Sequence, residues 1–122
     1  MSNFHIPLLL GGGWQEQVFV PFREGIEICT LHDGATPVSP LDSNLTQQPG
    51  IALLRYQAGA QVPRHRHPGV ETILVLDGSQ SDEFGCYETG SLVINPVDSE
   101  HSVWSDEGCV VLIQWDKPVE FV

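Results

Sequence analysis

The sequence predicts an all-β fold, either a sandwich or a barrel. Turn-forming Gly, Pro and Asp residues recur at intervals of about ten residues, and they separate short apolar or alternating runs. No segment shows sustained helical periodicity. At 122 residues, the chain is long enough for one domain with its own core and too short for a second.

Three strands are predicted in the first half of the chain. Residues 14–22 (WQEQVFVPF) predict the first strand, which Pro21 ends or places at a sheet edge. Residues 26–31 predict the second strand, and a turn at residues 32–35 follows it. Residues 36–46 contain two prolines and several polar side chains, which favours a loop that could include a short strand. Residues 51–57 predict the third strand.

The second half of the chain continues the same alternation of strands and turns. A strand-like run at residues 72–76 precedes a turn at Asp77 and Gly78, and a polar turn is predicted at residues 81–85. The remaining predicted strands are residues 90–95, 101–104 and 109–115, with a turn at residues 105–108. Residues 118–122 are expected to form a final strand or an arm.

The composition narrows the classes of partner. Sixteen acidic residues against five basic ones give a formal charge of −11, which makes nucleic acid and anionic membrane surfaces poor partners. No apolar run approaches membrane-spanning length, and the apolar residues 6–10 lack the features of a signal peptide. The three cysteines share no short metal-ligand spacing, so we expect reduced thiols and a cytoplasmic location.

Residues 59–78 (GAQVPRHRHPGVETILVLDG) contain the side chains best suited to chemistry. His65 and His67 occupy alternate positions and Glu71 follows, a set of donors that suits a divalent transition metal. An extended chain from His65 to Glu71 would span about 20 Å, whereas metal–ligand bonds measure only about 2.0–2.2 Å. The chain must therefore fold back. Pro68 and Gly69 supply a bend, because proline fixes φ and glycine accepts positive φ.

Two motifs resemble those of the cupin superfamily. Residues 59–78 match the first motif, G-x5-H-x-H-x3-E-x6-G, at every fixed position. Residues 90–105 resemble the second motif, G-x5-P-x-G-x2-H-x3-N, with Asp98 in place of the central glycine and Ser105 in place of the asparagine. The fixed positions of the first motif are Gly59, His65, His67, Glu71 and Gly78, and the second motif is matched at Gly90, Pro96 and His101. A single two-histidine pattern is common by chance, whereas two motifs in this order and at this separation are a strong indication of the superfamily.

Within that superfamily the chain is most similar to the ChrR-type cupins. The similarity lies in HRHPG-x-E at residues 65–71, in VLDG followed by SDEFGCY at residues 75–87, and in SDEGC at residues 105–109. Small acetylacetone-cleaving dioxygenases are further relatives by resemblance. In the anti-sigma factor ChrR, a separate N-terminal domain precedes the cupin domain. We expect this chain to lack that domain and therefore a sigma-factor partner.

The resemblance implies a fold, a ligand set and an assembly. The fold would be a double-stranded β-helix, the cupin or jelly-roll barrel, forming one domain over residues 1–122. Its metal-binding core would span about residues 50–116, and residues 1–49 would complete the barrel and supply contacts of a homodimer. The implied ligands are His65, His67, Glu71 and His101, with Glu71 as a fourth ligand or a dissociable base. Zinc or iron is the expected ion, and manganese, nickel and copper stay open.

Strand alternation predicts which side chains accompany these ligands. Ile73 and Val75 share the face of Glu71, and Val103 shares that of His101, so these three residues are predicted to form the pocket wall. Tyr56 is expected on a strand surface. The acids at the two polar turns are expected to be solvated: Asp82, Glu83, Asp106 and Glu107.

Three hypotheses for function follow from this ligand set. The first is a metal-dependent dioxygenase, with Fe(II), that acts on a small diketone-like chelator through an open coordination position. The second is a non-catalytic, zinc-binding sensor or ligand-binding module of the ChrR type. The third is a domain in which the metal only stabilises the fold.

Overall fold

The computed structural model describes residues 3–33 and 48–122. Within these residues the chain forms ten β-strands and two one-turn 3-10 helices, Leu9–Gly11 and Gly13–Glu16. The strands are β1 (Val20–Arg23), β2 (Ile26–Asp33), β3 (Gly50–Tyr56), β4 (Gln61–Arg66), β5 (Glu71–Asp82), β6 (Gly85–Glu88), β7 (Leu92–Asn95), β8 (Glu100–Trp104), β9 (Cys109–Trp115) and β10 (Glu120–Phe121). In the described part of the chain, no helix has the length and apolar character to cross a membrane.

The strands form one curled antiparallel sheet in the order β1-β2-β3-β9-β5-β8-β4-β10. The first half of β5 lies between β9 and β7, and its second half pairs with β6 and, at one position, with β8. The predicted all-β class and the double-stranded β-helix are confirmed. In the strand order, β5 therefore lies between β9 on one side and β8 and β4 on the other.

The predicted turn at Asp77 and Gly78 is wrong, because β5 continues through it to Asp82. The pairing of β5 with β9 shifts register between Val75 and Asp77, as it does at a β-bulge. Gly78 has φ of 72°, and a β-carbon there would overlap the carbonyl oxygen of Gly108. The glycine that ends the first motif is therefore required for a close strand contact.

The central strands are buried on both faces. One cluster lies inside the barrel and includes Leu54, Val75 and Val111, whereas their neighbours Leu53, Leu76 and Val110 form a second cluster outside it. Fully burying one such side chain stabilises a fold by about 1.5–3 kcal/mol. Burial on both faces explains the apolar runs of β3 and β9, which are interrupted only by Arg55 and Gln114.

The first predicted strand is only partly correct. Residues 14–16 belong to a 3-10 helix that directs Trp14 onto the second cluster, so the strand begins only at Val20. The turn predicted at residues 32–35 is also wrong at its start, because β2 extends to Asp33 and pairs there with Gly50. The rest of that turn, and the loop predicted at residues 36–46, fall outside the described residues.

The later strands agree better with prediction. The observed β9 has the predicted bounds, and β3, β7 and β8 differ from theirs by one or two residues. The C-terminal residues form β10, which pairs with β4. Two strands were not predicted, β4 and β6, and the polar turn of residues 81–85 contracts to the tip of the β5–β6 hairpin.

Candidate metal centre

The strand register brings the two histidine-bearing segments together. His65 lies in β4 directly opposite His101 in β8, as cross-strand partners. His67 follows the end of β4, where its backbone N–H donates to the carbonyl of Ser99 at 2.9 Å. The chain then bends at residues 68–69 and returns as β5, which begins at Glu71. The fold therefore gathers residues that are far apart in the sequence.

The bend is present, but its glycine serves a different purpose from the one predicted. Gly69 is not among the glycines with positive φ. A β-carbon at this position would lie 2.9 Å from Cβ of Asp116 and 3.0 Å from the backbone nitrogen of Lys117. Gly69 therefore permits close packing against the end of β9, and conformational freedom is not what requires it. The positive φ falls instead at Asp98, at 72°, where the second motif has its glycine.

Three imidazole rings converge in the barrel interior. The ring centroids of His65 and His67 are 5.1 Å apart, and each lies 4.7 Å from that of His101. One nitrogen from each ring lies within 4.8 Å of the others, and all three side chains are buried. These three histidines could hold a metal ion.

The outer nitrogen of each ring is paired with an oxygen. Nδ1 of His65 lies 2.8 Å from the carbonyl of Pro63, and Nδ1 of His67 lies 3.1 Å from the carbonyl of Ser99. Nδ1 of His101 lies 3.0 Å from Oδ2 of Asp82. Carbonyls and ionised carboxylates only accept hydrogen bonds, so each Nδ1 must carry the proton. Each Nε2 is then the unprotonated nitrogen of its ring and keeps its lone pair.

Those inner nitrogens provide the test of whether a metal fits. Nε2 of His67 and Nε2 of His101 are buried without a hydrogen-bond partner among the described residues. Buried polar atoms without a partner cost about 1–3 kcal/mol each. Two unpartnered lone pairs beside a third ring favour a cation between them, and neutral imidazole is a common ligand of divalent transition metals. The residues present therefore fit a metal.

Glu71 lies at the edge of the three rings. Its Oε1 is 3.3 Å from Nε2 of His67, without hydrogen-bond geometry, and it also accepts a hydrogen bond from Nδ2 of Asn95 at 3.3 Å. Glu71 and Asn95 are cross-strand partners on β5 and β7, and both are buried. The carboxylate is thus held beside the cluster in a position where it could complete the ligand set or accept a proton.

Asp82 was predicted to be a solvated loop acid, and this is wrong. Its side chain is only 3% exposed, because the last residue of β5 turns inward beneath β8. It accepts hydrogen bonds from the Tyr87 hydroxyl at 2.7 Å and from the backbone N–H of Phe84 at 2.8 Å, in addition to His101. Burial alone would raise its pKa, but the hydrogen bonds from Tyr87, His101 and Phe84 outweigh burial and lower it. Asp82 is therefore an anionic support for His101.

The same environments shift the pKa values of two neighbouring groups. Burial lowers the pKa of His65, and the hydrogen bond to the Pro63 carbonyl does not compensate. Burial and the hydrogen bond to Asp82 raise the pKa of Tyr87 to about 12. Both shifts preserve the neutral form of the side chain, so His65 remains a lone-pair donor and Tyr87 a hydroxyl donor at neutral pH.

A cavity of about 540 Å³ opens beside the three rings, and we call it the chamber. His65 and Glu71 are among its lining residues. Two of the three predicted wall residues, Ile73 and Val103, line it as well, whereas Val75 is fully buried in the cluster behind the wall. Tyr56, expected on a strand surface, is buried and lines the chamber, because β3 is covered on both faces.

Sequence reasoning missed Asp82, Asn95 and Ser99 as supports of the cluster. A readable signal existed for the first, since an Asp three residues before a Gly is typical of a tight turn whose N–H groups it accepts. Asp82 does accept the N–H of Gly85 at 3.2 Å. No feature of the neighbouring sequence predicts that the second carboxylate oxygen of Asp82 accepts from His101. The other acids expected in solvent are exposed as predicted: Glu83, Asp106 and Glu107.

This combination of a curled β-barrel, a cluster of three histidines and an adjoining apolar chamber defines a cupin. Solved structures support the fold assignment. A putative acetylacetone dioxygenase from Methylibium petroleiphilum PM1 superposes with a TM-score of 0.74 at 16% identity, covering 100% of this chain and 82% of that one. An acetylacetone dioxygenase from Acinetobacter johnsonii gives a TM-score of 0.69 at 20% identity, covering 85% and 71%.

The chain belongs to the ChrR cupin-like family, because residues 14–117 match the model of the ChrR Cupin-like domain. It is 35% identical over 71 residues to the anti-sigma-E factor ChrR of Cereibacter sphaeroides, a match that covers 57% of this chain and 33% of that protein. The structure of Rhodobacter sphaeroides SigE with the anti-sigma ChrR gives a TM-score of 0.68 at 24% identity, covering 90% of this chain and 56% of that chain. The match thus spans a third of the curated relative.

Proposed function

We propose that this protein binds one divalent transition metal through His65, His67 and His101, and that it acts on a small oxygenated chelator in a dioxygenase-like reaction. Glu71 would be a fourth ligand or a dissociable base. The observation that carries the proposal is the convergence of three imidazole nitrogens whose opposite nitrogens are all committed to acceptor oxygens. Imidazole donors suit zinc, iron, copper and nickel, and we propose zinc or iron because of the resemblance to the ChrR-type cupins and the dioxygenases.

The chain's own residues would perform binding, orientation and the exclusion of water. The chamber walls are largely apolar and open onto His65 and Glu71, so a substrate entering there would be desolvated as it approached the centre. Asn95 fixes the Glu71 carboxylate from behind, and a carboxylate held in this way could take up a substrate proton. When bound, the metal would supply Lewis acidity and, if it is iron, redox chemistry with dioxygen.

A second candidate is a non-catalytic zinc-dependent sensor or ligand-binding module. The sequence similarity to ChrR supports it, since that relative is an anti-sigma factor. Both candidates need the same metal and the same chamber. They differ in which ion the protein carries and in whether a bound molecule is consumed, and these are the quantities to measure.

The deciding experiment begins with elemental analysis of protein purified without added metal. The protein is then stripped, reloaded with Fe(II) without oxygen, and screened for oxygen uptake with 1,3-diketones and related chelators. Uptake that depends on one class of compound and disappears in His101→Ala would establish the enzyme. One equivalent of zinc and no uptake across the panel would favour the sensor, and no metal after loading would exclude both.

We further propose a homodimer in which the chain's first 49 residues supply contacts, with a single domain and a metal-binding core at about residues 50–116. Among the described residues, Val20 and Phe22 of the edge strand β1 expose 51% and 55% of their surface, and Val18 just before it exposes 79%. Apolar surface at an unpaired strand edge favours association. Light scattering should give twice the mass of one chain, and a monomer would contradict this assembly.

A further inference from the structure

The chamber wall is mostly apolar. Besides Tyr56, His65 and Glu71, its polar lining residues are Arg23, Thr30, Asp33 and Gln80. Six of its wall residues come from six different strands: Ile28, Leu54, Val62, Ile73, Val103 and Ile113. All six belong to, or pack against, the hydrophobic cluster inside the barrel that includes Val75 and Val111. The wall is thus part of the core of the barrel, so the cavity is a preformed feature of the fold.

Aromatic side chains also line the chamber. Phe22 from β1 and Trp115 from β9 line it, together with Phe121 from the C-terminal strand β10. The Phe121 ring centroid lies 6.0 Å from that of His65, and the Arg23 guanidinium lies 5.2 Å from the Phe121 ring centroid. β10 is hydrogen-bonded to β4, which fixes Phe121 opposite His65. Aromatic surface therefore lies directly beside His65.

The size of the chamber exceeds what a minimal chelator needs. Cavities of about 300–1,000 Å³ are typical of sites for drug-sized molecules, and this one measures about 540 Å³. A minimal chelator, with two oxygens on a three-carbon unit, would occupy only the part of the chamber next to His65 and Glu71. The remaining space would then be left to water, which would find few hydrogen-bond partners on a mostly apolar wall, and this is unfavourable.

We propose that the substrate or ligand is an amphipathic chelator, with a bidentate oxygen head at the metal and a large apolar body, alkyl or aryl, that fills the chamber. This inference rests on the proposed function for the head group, but the apolar body follows from the chamber alone. Because burying one methylene is worth about 0.8 kcal/mol, each added methylene should tighten binding about fourfold until the chamber is full.

The test uses a series of straight-chain hydroxamic acids, from acetohydroxamic to octanohydroxamic acid, titrated calorimetrically into zinc-loaded protein. The hydroxamate head is constant, so any trend reports the chamber. We expect the dissociation constant to fall about fourfold per methylene along the series. Equal dissociation constants for the short and the long acids would overturn the proposal and leave the metal site standing.

A pair of matched variants locates the effect. Ile113→Trp places a large ring in the chamber, whereas Ile94→Trp makes the same change on β7, where Ile94 is 60% exposed and does not line the chamber. Both variants should retain one equivalent of zinc. We expect the chain-length dependence to disappear in Ile113→Trp and to persist in Ile94→Trp, and its persistence in both would place the tail elsewhere.

Failure of the proposed function can be told apart from failure of this inference. If the protein binds no zinc, the hydroxamate head has no partner and the proposed function fails. The chamber is then tested on metal-free protein with butanol, hexanol and octanol, whose affinity should still rise with chain length. The same alcohol series serves if Ile113→Trp does not fold. No rise in either series would overturn the inference.

Discussion

The two sides of the histidine cluster are supported by different chemistry. On the β4 side, His65 and His67 donate to backbone carbonyls, those of Pro63 and Ser99, and the Ser99 hydroxyl is a second acceptor for His67. On the β8 side, His101 donates to a buried carboxylate, Asp82, which Tyr87 holds in place. A backbone carbonyl is fixed by the fold, whereas a side chain can be replaced. The orientation of His101 is therefore the part of the centre that one substitution can alter without changing the ligands.

The carboxylate adds charge as well as direction. A ligating histidine whose second nitrogen donates to a carboxylate becomes a more basic ligand than one that donates to a carbonyl. The lowered pKa of Asp82 preserves its negative charge at neutral pH. The β8 side should therefore contribute more to metal affinity than its single histidine suggests, and the following predictions test that difference.

The largest effect is expected when a ring from either side is removed. His65→Ala and His101→Ala should each lose stoichiometric metal on dialysis, because each removes one of the three converging imidazoles and leaves only two in the cluster. Elemental analysis after dialysis measures the metal content. His32→Ala is the matched control, since His32 is exposed on β2 and should leave one equivalent bound. Full retention in both ring variants would refute the ligand set.

Asp82→Asn should have the next largest effect. The substitution keeps the size of the side chain and an acceptor oxygen but removes the charge beneath His101. Loss of such a supporting group typically weakens metal affinity about 10–100-fold. Competition against a chromogenic zinc chelator measures the change. Asp106→Asn, a change at an exposed acid of the β8–β9 turn, is the control and should leave affinity as it is. Equal affinities for the two variants would show that the charge does not matter.

Much of this arrangement could be predicted from the sequence, for a physical reason. The spacing of His65, His67 and Glu71, together with a bend, restricts the backbone so strongly that few arrangements bring the donors together. Buried strands such as β9 are marked by continuous apolar runs. These features are local, so periodicity and turn chemistry are enough to find them.

The features that were missed depend on contacts between distant segments. β4 contains Pro63, which argues against a strand, and it is tolerated because the pairing of β4 with β8 shifts register between Val62 and His65. Asp82 lies in a polar segment, and only the packing of β8 over that hairpin buries it. The local sequence shows whether a residue is polar or apolar. It does not show whether a strand from a distant part of the chain will bury that residue.

The lowered pKa of His65 predicts a pH dependence on the β4 side. In the unfolded chain this histidine titrates near 6.5, whereas in the fold it takes up a proton only at lower pH. Between these values the unfolded state binds more protons, so the metal-free protein should lose stability as the pH falls below about 6.5. Melting temperatures of metal-free protein at pH 7.5 and 5.5 measure this. The decrease in melting temperature between pH 7.5 and 5.5 should be smaller in His65→Gln than in the wild type or in His32→Gln. Equal decreases in all three proteins would contradict this prediction.

The smallest effect is expected from Ser99→Ala, the β4-side counterpart of Asp82→Asn. The Ser99 hydroxyl accepts from Nδ1 of His67 at 2.9 Å and donates to the carbonyl of Pro96 at 2.6 Å. Its removal leaves the Ser99 carbonyl at 3.1 Å from the same nitrogen. Since the Ser99 carbonyl can still accept this hydrogen bond, the zinc dissociation constant should change by no more than about threefold. That change is smaller than the one expected from losing a hydrogen bond to a charged group. The same competition assay applies. A loss as large as that of Asp82→Asn would show that backbone carbonyls do not hold these rings, and the contrast between the two sides would not stand.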